Sequence, residues 1–452
     1  MDVASAVAQS RMTFRQYLVI FGAMLCNLVD GYDLSVVGFA LPHLPDGFAS
    51  AAVKGWLIST GLIGMAVGAI LVAPLADRFG RRTLLIAGVA LNLIAMIGTA
   101  LAPNVEVMFG TRFLTGVAVG VLSTLSILIA QEYSAINKRN LAAGLVTIGF
   151  SIGTIGGGII GLSLVNTFGG AWQIFFWAGA VLTAVILVYI VVLMPESLSF
   201  LVAQGTPEAK RRIAKIADRM GLEDVDPDAQ APVGRAETSV DTKASLLDSV
   251  FRKRSLLLWS AYAVLTAAYY FVASWTPQLI ANESGSADVG TTVGTLISFG
   301  AMIGAITFGI IGIRMAATHL GWIFLGIAIV SQIVFAMTME GGAAMAAAAV
   351  LGFAAFASMT SYVSAAPQLY PVQLRGRGLG YMYGISRFGS ILAPIAAGYA
   401  ITVVSGRTMY LAASLLFAIS FVLTFALWRI TRSQLAPARA PESATESATA
   451  SA

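Results

Sequence analysis

The chain has 452 residues, of which 58% are hydrophobic and only 11% are charged. Because a soluble domain carries about 25% charged residues, this composition excludes an ordinary soluble protein and predicts an all-α membrane protein. The net charge of +5 does not require a nucleic-acid partner, because basic residues also collect on one side of membrane proteins. The single cysteine, Cys26, excludes an internal disulfide.

Twelve apolar stretches are long enough to cross a bilayer core, which needs about 20 apolar residues per helix. We predict transmembrane spans at 16–41, 54–76, 83–102, 107–131, 141–166, 171–194, 256–281, 289–313, 320–339, 343–367, 377–404 and 408–429. The division of the chain that follows is a cytoplasmic N-terminus (1–15), an N-terminal six-helix bundle (16–194), a cytoplasmic central loop (195–254), a C-terminal six-helix bundle (255–430) and a disordered cytoplasmic tail (431–452). The central loop contains GTPEAKRRIAKIADRMG, which predicts an amphipathic surface helix.

The basic residues indicate the orientation. All but four of the 27 Lys and Arg residues lie before span 1, after span 12 or in the loops on that same side; the exceptions are Lys54, Arg112, Arg387 and Arg407. Because Lys and Arg concentrate in cytoplasmic loops, we expect both termini in the cytoplasm and the protein in the plasma or inner membrane.

The two groups of six spans carry a faint internal repeat. QEYSAINKRNLAAGLVTIGFSIG enters span 5, and QLYPVQLRGRGLGYMYGISRFG enters span 11. Aligning Arg139 with Arg375 also matches two pairs of glycines. Transporters are often built from such repeats, so the pattern favours a duplicated carrier over a channel.

Span 1 carries two carboxylates in LCNLVDGYDLSVVGFALP. Asp30 and Asp33 are three residues apart and share a helix face. An ionised carboxylate at membrane depth costs several kcal/mol unless it is paired or protonated, and repulsion between the two favours proton binding by one of them. We predict a proton-coupling pair with Arg112 as its partner; the alternative is a static ion pair that only orders the bundle. Gly31 would let another helix approach closely.

Loop 2–3 reads APLADRFGRRTLL and resembles the G-x-L-A-D-R-x-G-R-R signature of the major facilitator superfamily. GTRFLTGVAVG in span 4, PESLSFL after span 6 and YPVQLRGRGLG before span 11 are similar to further patterns of that superfamily, and the resemblance covers about residues 15–430. It implies twelve transmembrane helices in two pseudo-symmetric six-helix bundles. It also implies a conformational latch formed by Asp77, Arg78, Gly80, Arg81 and Arg82.

In that latch, Asp77 can interact with a neighbouring helix N-terminus while the arginines stay at the anionic lipid surface. The alternative is a loop that is merely positively charged. In loop 8–9 the corresponding motif is degenerate, because Ile313 takes the Asp position and Ala316 the second Gly position.

The DGYD stretch of span 1 resembles the D-G-[FY]-D pattern of the aromatic acid:proton symporter family, bacterial importers of benzoate-like acids. Arg387 lies near the middle of span 11, which contains no acidic residue that could pair with it. A guanidinium matches the two oxygens of a carboxylate, so we predict that Arg387 binds the acid group of the substrate. The alternative is a pair across the two halves with Asp30 or Asp33.

An aromatic substrate would also need flat apolar walls. Span 7 offers YAVLTAAYYFVASW, in which Tyr262 and Tyr269 share a helix face. We predict Tyr269, Tyr270 and Tyr383 as substrate-binding residues, although each could simply be a packing aromatic.

No enzyme signature competes with this interpretation. There is no P-loop, and two His with one Cys give no metal-ligand cluster. We expect no enzyme activity and no cofactor, and a monomer in the lipid bilayer. The predicted function is a proton-coupled symporter importing an aromatic carboxylate of the benzoate, hydroxybenzoate, protocatechuate or gentisate class by alternating access. The alternatives are a carrier of another organic anion, a sugar or a drug, and a non-transporting membrane sensor or scaffold.

Overall fold

Twelve long helices make up most of the part of the chain that the computed structural model describes, residues 3–10, 12–45, 47–221, 246–249 and 251–431. The first six are α1 (Phe14–Ala40), α2 (Ala51–Val67), α3 (Arg81–Ala100), α4 (Val105–Glu132), α5 (Arg139–Thr167) and α6 (Gln173–Leu193). The second six are α7 (Arg252–Ser284), α8 (Ala287–Ile311), α9 (Ala317–Thr338), α10 (Gly341–Ala365), α11 (Val372–Ala400) and α12 (Gly406–Thr431). The predicted all-α membrane architecture is confirmed.

The observed helices agree with the predicted spans to within five residues at each end, with one exception. The predicted span 54–76 is an α-helix only as far as Val67; a π-helical turn (Gly68–Val72) and a 3-10 turn (Ala73–Leu75) follow. Pro74 lacks the N–H that a regular helix needs there. Eleven helical segments of the described chain are long and apolar enough to cross a membrane. The twelfth, α11, has 29 residues but is more polar.

The same helix pairings occur in both halves. Within the first half, α1 packs against α5 and α6, α2 against α4, and α3 against α4 and α6. In the second half, correspondingly, α7 packs against α11 and α12, α8 against α10, and α9 against α10 and α12. Between the halves, α1 contacts α7, α2 contacts α11 and α5 contacts α8. The helices therefore form two pseudo-symmetric six-helix bundles, as the internal repeat predicts.

Close approach of the paired helices depends on glycine. A Cβ at Gly116 of α4 would lie 2.0 Å from the carbonyl oxygen of Gly61 on α2. In the second half, a Cβ at Gly300 of α8 would lie 2.0 Å from the carbonyl oxygen of Ala349 on α10. Membrane helices that approach this closely gain van der Waals packing where lipid offers no hydrophobic driving force.

The central loop contains two short helices, Leu198–Gln204 and Pro207–Met220. The second is the predicted amphipathic helix: the Thr206 side chain accepts from its first turn, and its buried residues are Ala209, Ile213, Ala217 and Met220. The remainder of the predicted linker, 222–245, and the predicted disordered tail from 432 lie outside the described residues.

Candidate functional site

A buried ion pair links α1 to α4. The Arg112 guanidinium donates from Nη1 to Asp33 Oδ1 and from Nη2 to Asp33 Oδ2, each over 2.8 Å. The two side chains are only 3% and 6% exposed, and the guanidinium carbon lies 6.0 Å from the centre of the Phe176 ring. Two parallel charge-assisted bonds give a strong and orientation-specific pair. The structure thus brings the predicted partners Arg112 and Asp33 together.

Asp30 lies one helical turn earlier on α1 and is also buried, at 5% exposure. Among the described residues, none forms a hydrogen bond or an ion pair with its carboxylate. Asp30 lines a cavity of about 20 Å³ with Asp33, Arg112 and Tyr270, and it interacts electrostatically with Arg387 on α11. A cavity of this size holds about one water molecule. A buried acid without a direct partner is costly when ionised, which suits a group that binds and releases a proton.

Gly31, between the two aspartates, fixes how α1 meets α5. A Cβ at Gly31 would lie 1.9 Å from the carbonyl oxygen of Phe150, so the predicted close helix approach at this glycine is confirmed. One turn away, Asn27 Nδ2 donates to the Val146 carbonyl over 2.9 Å. These contacts set the register of α1 and hence the depth of both carboxylates.

Arg387 lies near the middle of α11, half-buried, where the two bundles meet. Its Nη1 is 3.3 Å from the Met65 sulfur on α2. It lies close enough to Tyr270, Tyr262 and Tyr383 to interact with them electrostatically. Within the described chain, no carboxylate lies within 4 Å of its guanidinium. The direct cross-half pair considered from the sequence is therefore absent in this conformation.

The predicted tyrosines divide into two groups. Tyr270 and Tyr383 adjoin Arg387, together with Tyr262, whose ring centre is 5.9 Å from that of Tyr383. Tyr269 instead packs edge-on against Tyr270, with its ring centre 5.7 Å from that of Phe356. Substrate binding by Tyr269 therefore stays a prediction, since its observed ring contacts are with Tyr270 and Phe356.

Sequence reasoning missed two neighbours of the charged groups. Met65 contacts Arg387, and Phe176 lies against Arg112. Neither residue type stands out in an apolar span. Phe176 could have been suspected only from the preference of cations for aromatic faces.

The two bundles meet on the side opposite the chain ends. There, Lys54 Nζ donates to Gln278 Oε1 over 2.9 Å, and Ser59 Oγ donates to the Ile391 carbonyl over 2.7 Å. On the side where α1 begins and α12 ends, which we call the terminal side, a Cβ at Gly380 of α11 would meet no atom within 4 Å. The two bundles are therefore in direct contact on the opposite side in this conformation.

Two arginines of loop 2–3 bind the ends of neighbouring helices. Arg81 forms an ion pair with Glu132 at the end of α4. Arg82 donates from Nε to the Met194 carbonyl and from Nη2 to the Val191 carbonyl, each over 2.6 Å. Both arginines therefore have partners within the protein in this conformation, whereas their position relative to the lipid surface stays a prediction.

The rest of the loop depends on Gly80, whose φ of +93° favours glycine. A Cβ there would lie 2.5 Å from Glu196 Oε2. The Glu196 carbonyl accepts from the Tyr133 hydroxyl, whose pKa burial raises well above its usual range. Asp77 and Arg78 are exposed. Glu132 and Glu196, which lie in QEYSAINKRN and PESLSFL, were not predicted as partners of this loop.

The comparisons with known proteins agree with this architecture. The family model described as Major Facilitator Superfamily matches residues 23–368. The 4-hydroxybenzoate transporter PcaK of Pseudomonas putida is 29% identical over 87% of this chain and 88% of its own. The gallate transporter of Pseudomonas putida is also 29% identical, over 88% of each chain.

Among solved structures, a D-xylose-proton symporter is similar in fold, with a TM-score of 0.70, 16% identity and coverage of 91% of this chain and 97% of its own. The superfamily is one of transporters and not an enzyme class. The chain therefore belongs to the major facilitator superfamily and is a multi-pass membrane protein.

Proposed function

We propose that this protein imports an aromatic carboxylate together with protons by alternating access. The observation that carries the proposal is the placement of Arg387 between the two bundles, beside three tyrosines and facing Asp30. The names of the relatives support it, since 4-hydroxybenzoate and gallate both carry a carboxylate on an aromatic ring.

Arg387 suits the substrate carboxylate because its guanidinium has no direct carboxylate partner among the described residues. Bidentate binding of a carboxylate would satisfy both the charge and the geometry of the fork. Tyr262, Tyr270 and Tyr383 adjoin the same guanidinium and supply flat ring surfaces with polar tips. An aromatic acid with ring hydroxyls offers matching apolar and polar groups.

Asp30 suits the proton. Asp33 is already bound by Arg112. The positive charge that acts on Asp30 is that of Arg387, with which it forms no direct ion pair. In the proposed cycle, a protonated Asp30 frees Arg387 for the substrate. Loss of the proton restores the attraction between them. Binding of the two partners is thereby coupled through one shared cation.

We also propose an orientation in the membrane, an oligomeric state and a conformational change. The terminal side is cytoplasmic by the distribution of basic residues, the membrane is the plasma or inner membrane, and the protein acts as a monomer. In alternating access the two bundles rock about the central site. The loop that contains Asp77 and Arg81 acts as the latch on the terminal side.

Transport by purified protein in liposomes tests the function directly. We expect uptake of radiolabelled 4-hydroxybenzoate that rises when the vesicle interior is made alkaline, and little uptake of its uncharged amide. Uptake that ignores an imposed pH gradient would contradict proton coupling alone. Failure to move any member of a panel of benzoate, hydroxybenzoates, protocatechuate and gentisate, while a sugar, drug or other organic anion is moved, would assign a different substrate. Movement of none of them would favour a sensor or scaffold.

A further inference from the structure

A groove with a cationic rim lies on the terminal side, between the amphipathic helix Pro207–Met220 and the ends of α1 and α6. Two adjoining hollows form it, and they share Leu193, Ile216 and Arg219. Arg15 lines one hollow and Lys215 the other. We call this feature the interfacial groove, because it lies where α1 enters and α6 leaves the apolar layer.

Most basic side chains of the interfacial groove form no ion pair with the nearby acidic residues that the structure describes. Glu208 binds Arg212 over 2.6 Å. Glu196 Oε1 accepts from the backbone N–H of Arg82 and of Ser197, each over 2.9 Å. The Arg82 guanidinium, which also lines the groove, donates to the Met194 and Val191 carbonyls. Within the part of the chain that the structure describes, no ion pair engages the other three cations, which are Arg15, Lys215 and Arg219. The groove therefore presents three available positive charges.

The floor of the groove is apolar and continues onto the outer surface of the bundle. Leu18, Leu193 and Ile216 line it. Beyond Leu193, the exposed face of α6 carries Val192 and Val188, which are 71% and 64% exposed. A ligand that fits needs an anionic head for the rim and a hydrocarbon chain for the floor and the adjoining face.

We propose that the interfacial groove binds an anionic phospholipid of the terminal-side leaflet. Its phosphate lies among Arg15, Lys215 and Arg219, and its acyl chain runs along Leu193 and the exposed face of α6. Clusters of Lys and Arg on an amphipathic helix at a membrane surface attract anionic lipids, and here the groove adds a defined place for the chain. This site is separate from the transport site and does not rest on the proposed function.

Lipid retention measured by native mass spectrometry tests the proposal. The full-length protein is exchanged from detergent into micelles that contain equal amounts of phosphatidylglycerol and phosphatidylcholine. We expect wild type to retain phosphatidylglycerol preferentially. The triple variant Arg15→Gln/Lys215→Gln/Arg219→Gln should lose that preference, with affinity falling by about fivefold for each charge removed. The variant Arg15→Lys/Arg219→Lys keeps the charges and should retain the lipid.

The matched control removes three positive charges from the same side of the protein but outside the groove, by Arg211→Gln/Arg252→Gln/Lys253→Gln. It should retain phosphatidylglycerol as wild type does. Equal loss in the control and the groove triple would show attraction by net charge alone and would overturn the site. Absence of any preference for phosphatidylglycerol in wild type would overturn it as well. Thermal unfolding in detergent is measured for each variant, so that bound lipid is compared only between proteins that are folded.

Discussion

Arg112 donates to both carboxylate oxygens of Asp33, over 2.8 Å each, while Asp30 on the same helix face receives no hydrogen bond from any described residue. The two acids are alike in sequence and three residues apart, yet only one is held in a direct ion pair. We therefore propose that the two roles considered from the sequence, proton coupling and a static ion pair, belong to different residues. Asp33 fits the structural role, and Asp30 fits proton coupling.

Replacing Asp30 with Asn should abolish accumulation driven by a pH gradient, because an amide cannot carry the proton. One pH unit supplies about 1.4 kcal/mol per proton, enough for about a tenfold accumulation per coupled proton. Vesicle uptake with an alkaline interior measures this ratio, which should fall to about one. Exchange of labelled for unlabelled substrate should persist. A variant that still accumulates substrate would remove Asp30 from the coupling role.

Replacing Asp33 with Asn should act mainly on stability. It leaves the Arg112 guanidinium buried without its counter-charge, and breaking such a pair by removing one partner costs about 3–5 kcal/mol. Thermal unfolding in detergent should show a lower midpoint than for Asp30→Asn. The double variant Asp33→Asn/Arg112→Gln should recover much of the loss. A single variant as stable as wild type would show that the pair does not order the bundle.

Arg387→Lys keeps the positive charge but loses the planar guanidinium that can donate to both oxygens of a carboxylate. Binding of an aromatic acid should weaken by roughly 1.5–3 kcal/mol, or about one to two decades in Kd, and Arg387→Ala should be weaker still. Calorimetric titration of 4-hydroxybenzoate and of its amide into each protein measures this. The alanine variant should lose the preference for acid over amide. An unchanged preference would mean that Arg387 supports the site without holding the carboxylate, and Arg112 would become the better candidate.

Gly31→Ala should prevent correct packing of α1 on α5, because its Cβ would lie 1.9 Å from the Phe150 carbonyl oxygen. Overpacking of this kind costs about 1–3 kcal/mol or more. Size-exclusion profiles and thermal unfolding should show loss of folded protein. Gly156→Ala on α5 is the matched control, since a Cβ there meets nothing within 4 Å. Equal behaviour of the two variants would rule out close packing as the role of Gly31.

Asp77→Ala should slow turnover more than it weakens substrate binding. Asp77 is exposed on the terminal side in this conformation, so its proposed contact with a helix N-terminus would form when that side closes. Such a contact contributes about 0.3–1 kcal/mol, which predicts a two- to fivefold fall in turnover. Parallel measurement of transport rate and of Kd separates the two effects. A Kd change as large as the rate change would contradict the latch.

The sequence alone predicted the twelve helices, because a span of about 20 apolar residues is a local property that the bilayer itself imposes. It also singled out Asp30, Asp33, Arg112 and Arg387, since charges within apolar spans are rare and conspicuous. Gly31, between the aspartates, was informative for a different reason, because a glycine inside a membrane helix allows close packing of a neighbouring helix.

Only the tertiary structure decided which of these charges meet. Asp30 and Asp33 lie only about 60° apart around α1 at 100° per residue, and it is the packing of α1 against α4 and α5 that brings Asp33 rather than Asp30 to Arg112. Likewise, Met65 gives no sequence signal, yet it lies beside Arg387 because α2 of one bundle packs on α11 of the other. Apolar periodicity fixes helices one at a time, whereas a site between two bundles depends on contacts between residues that are distant in the chain.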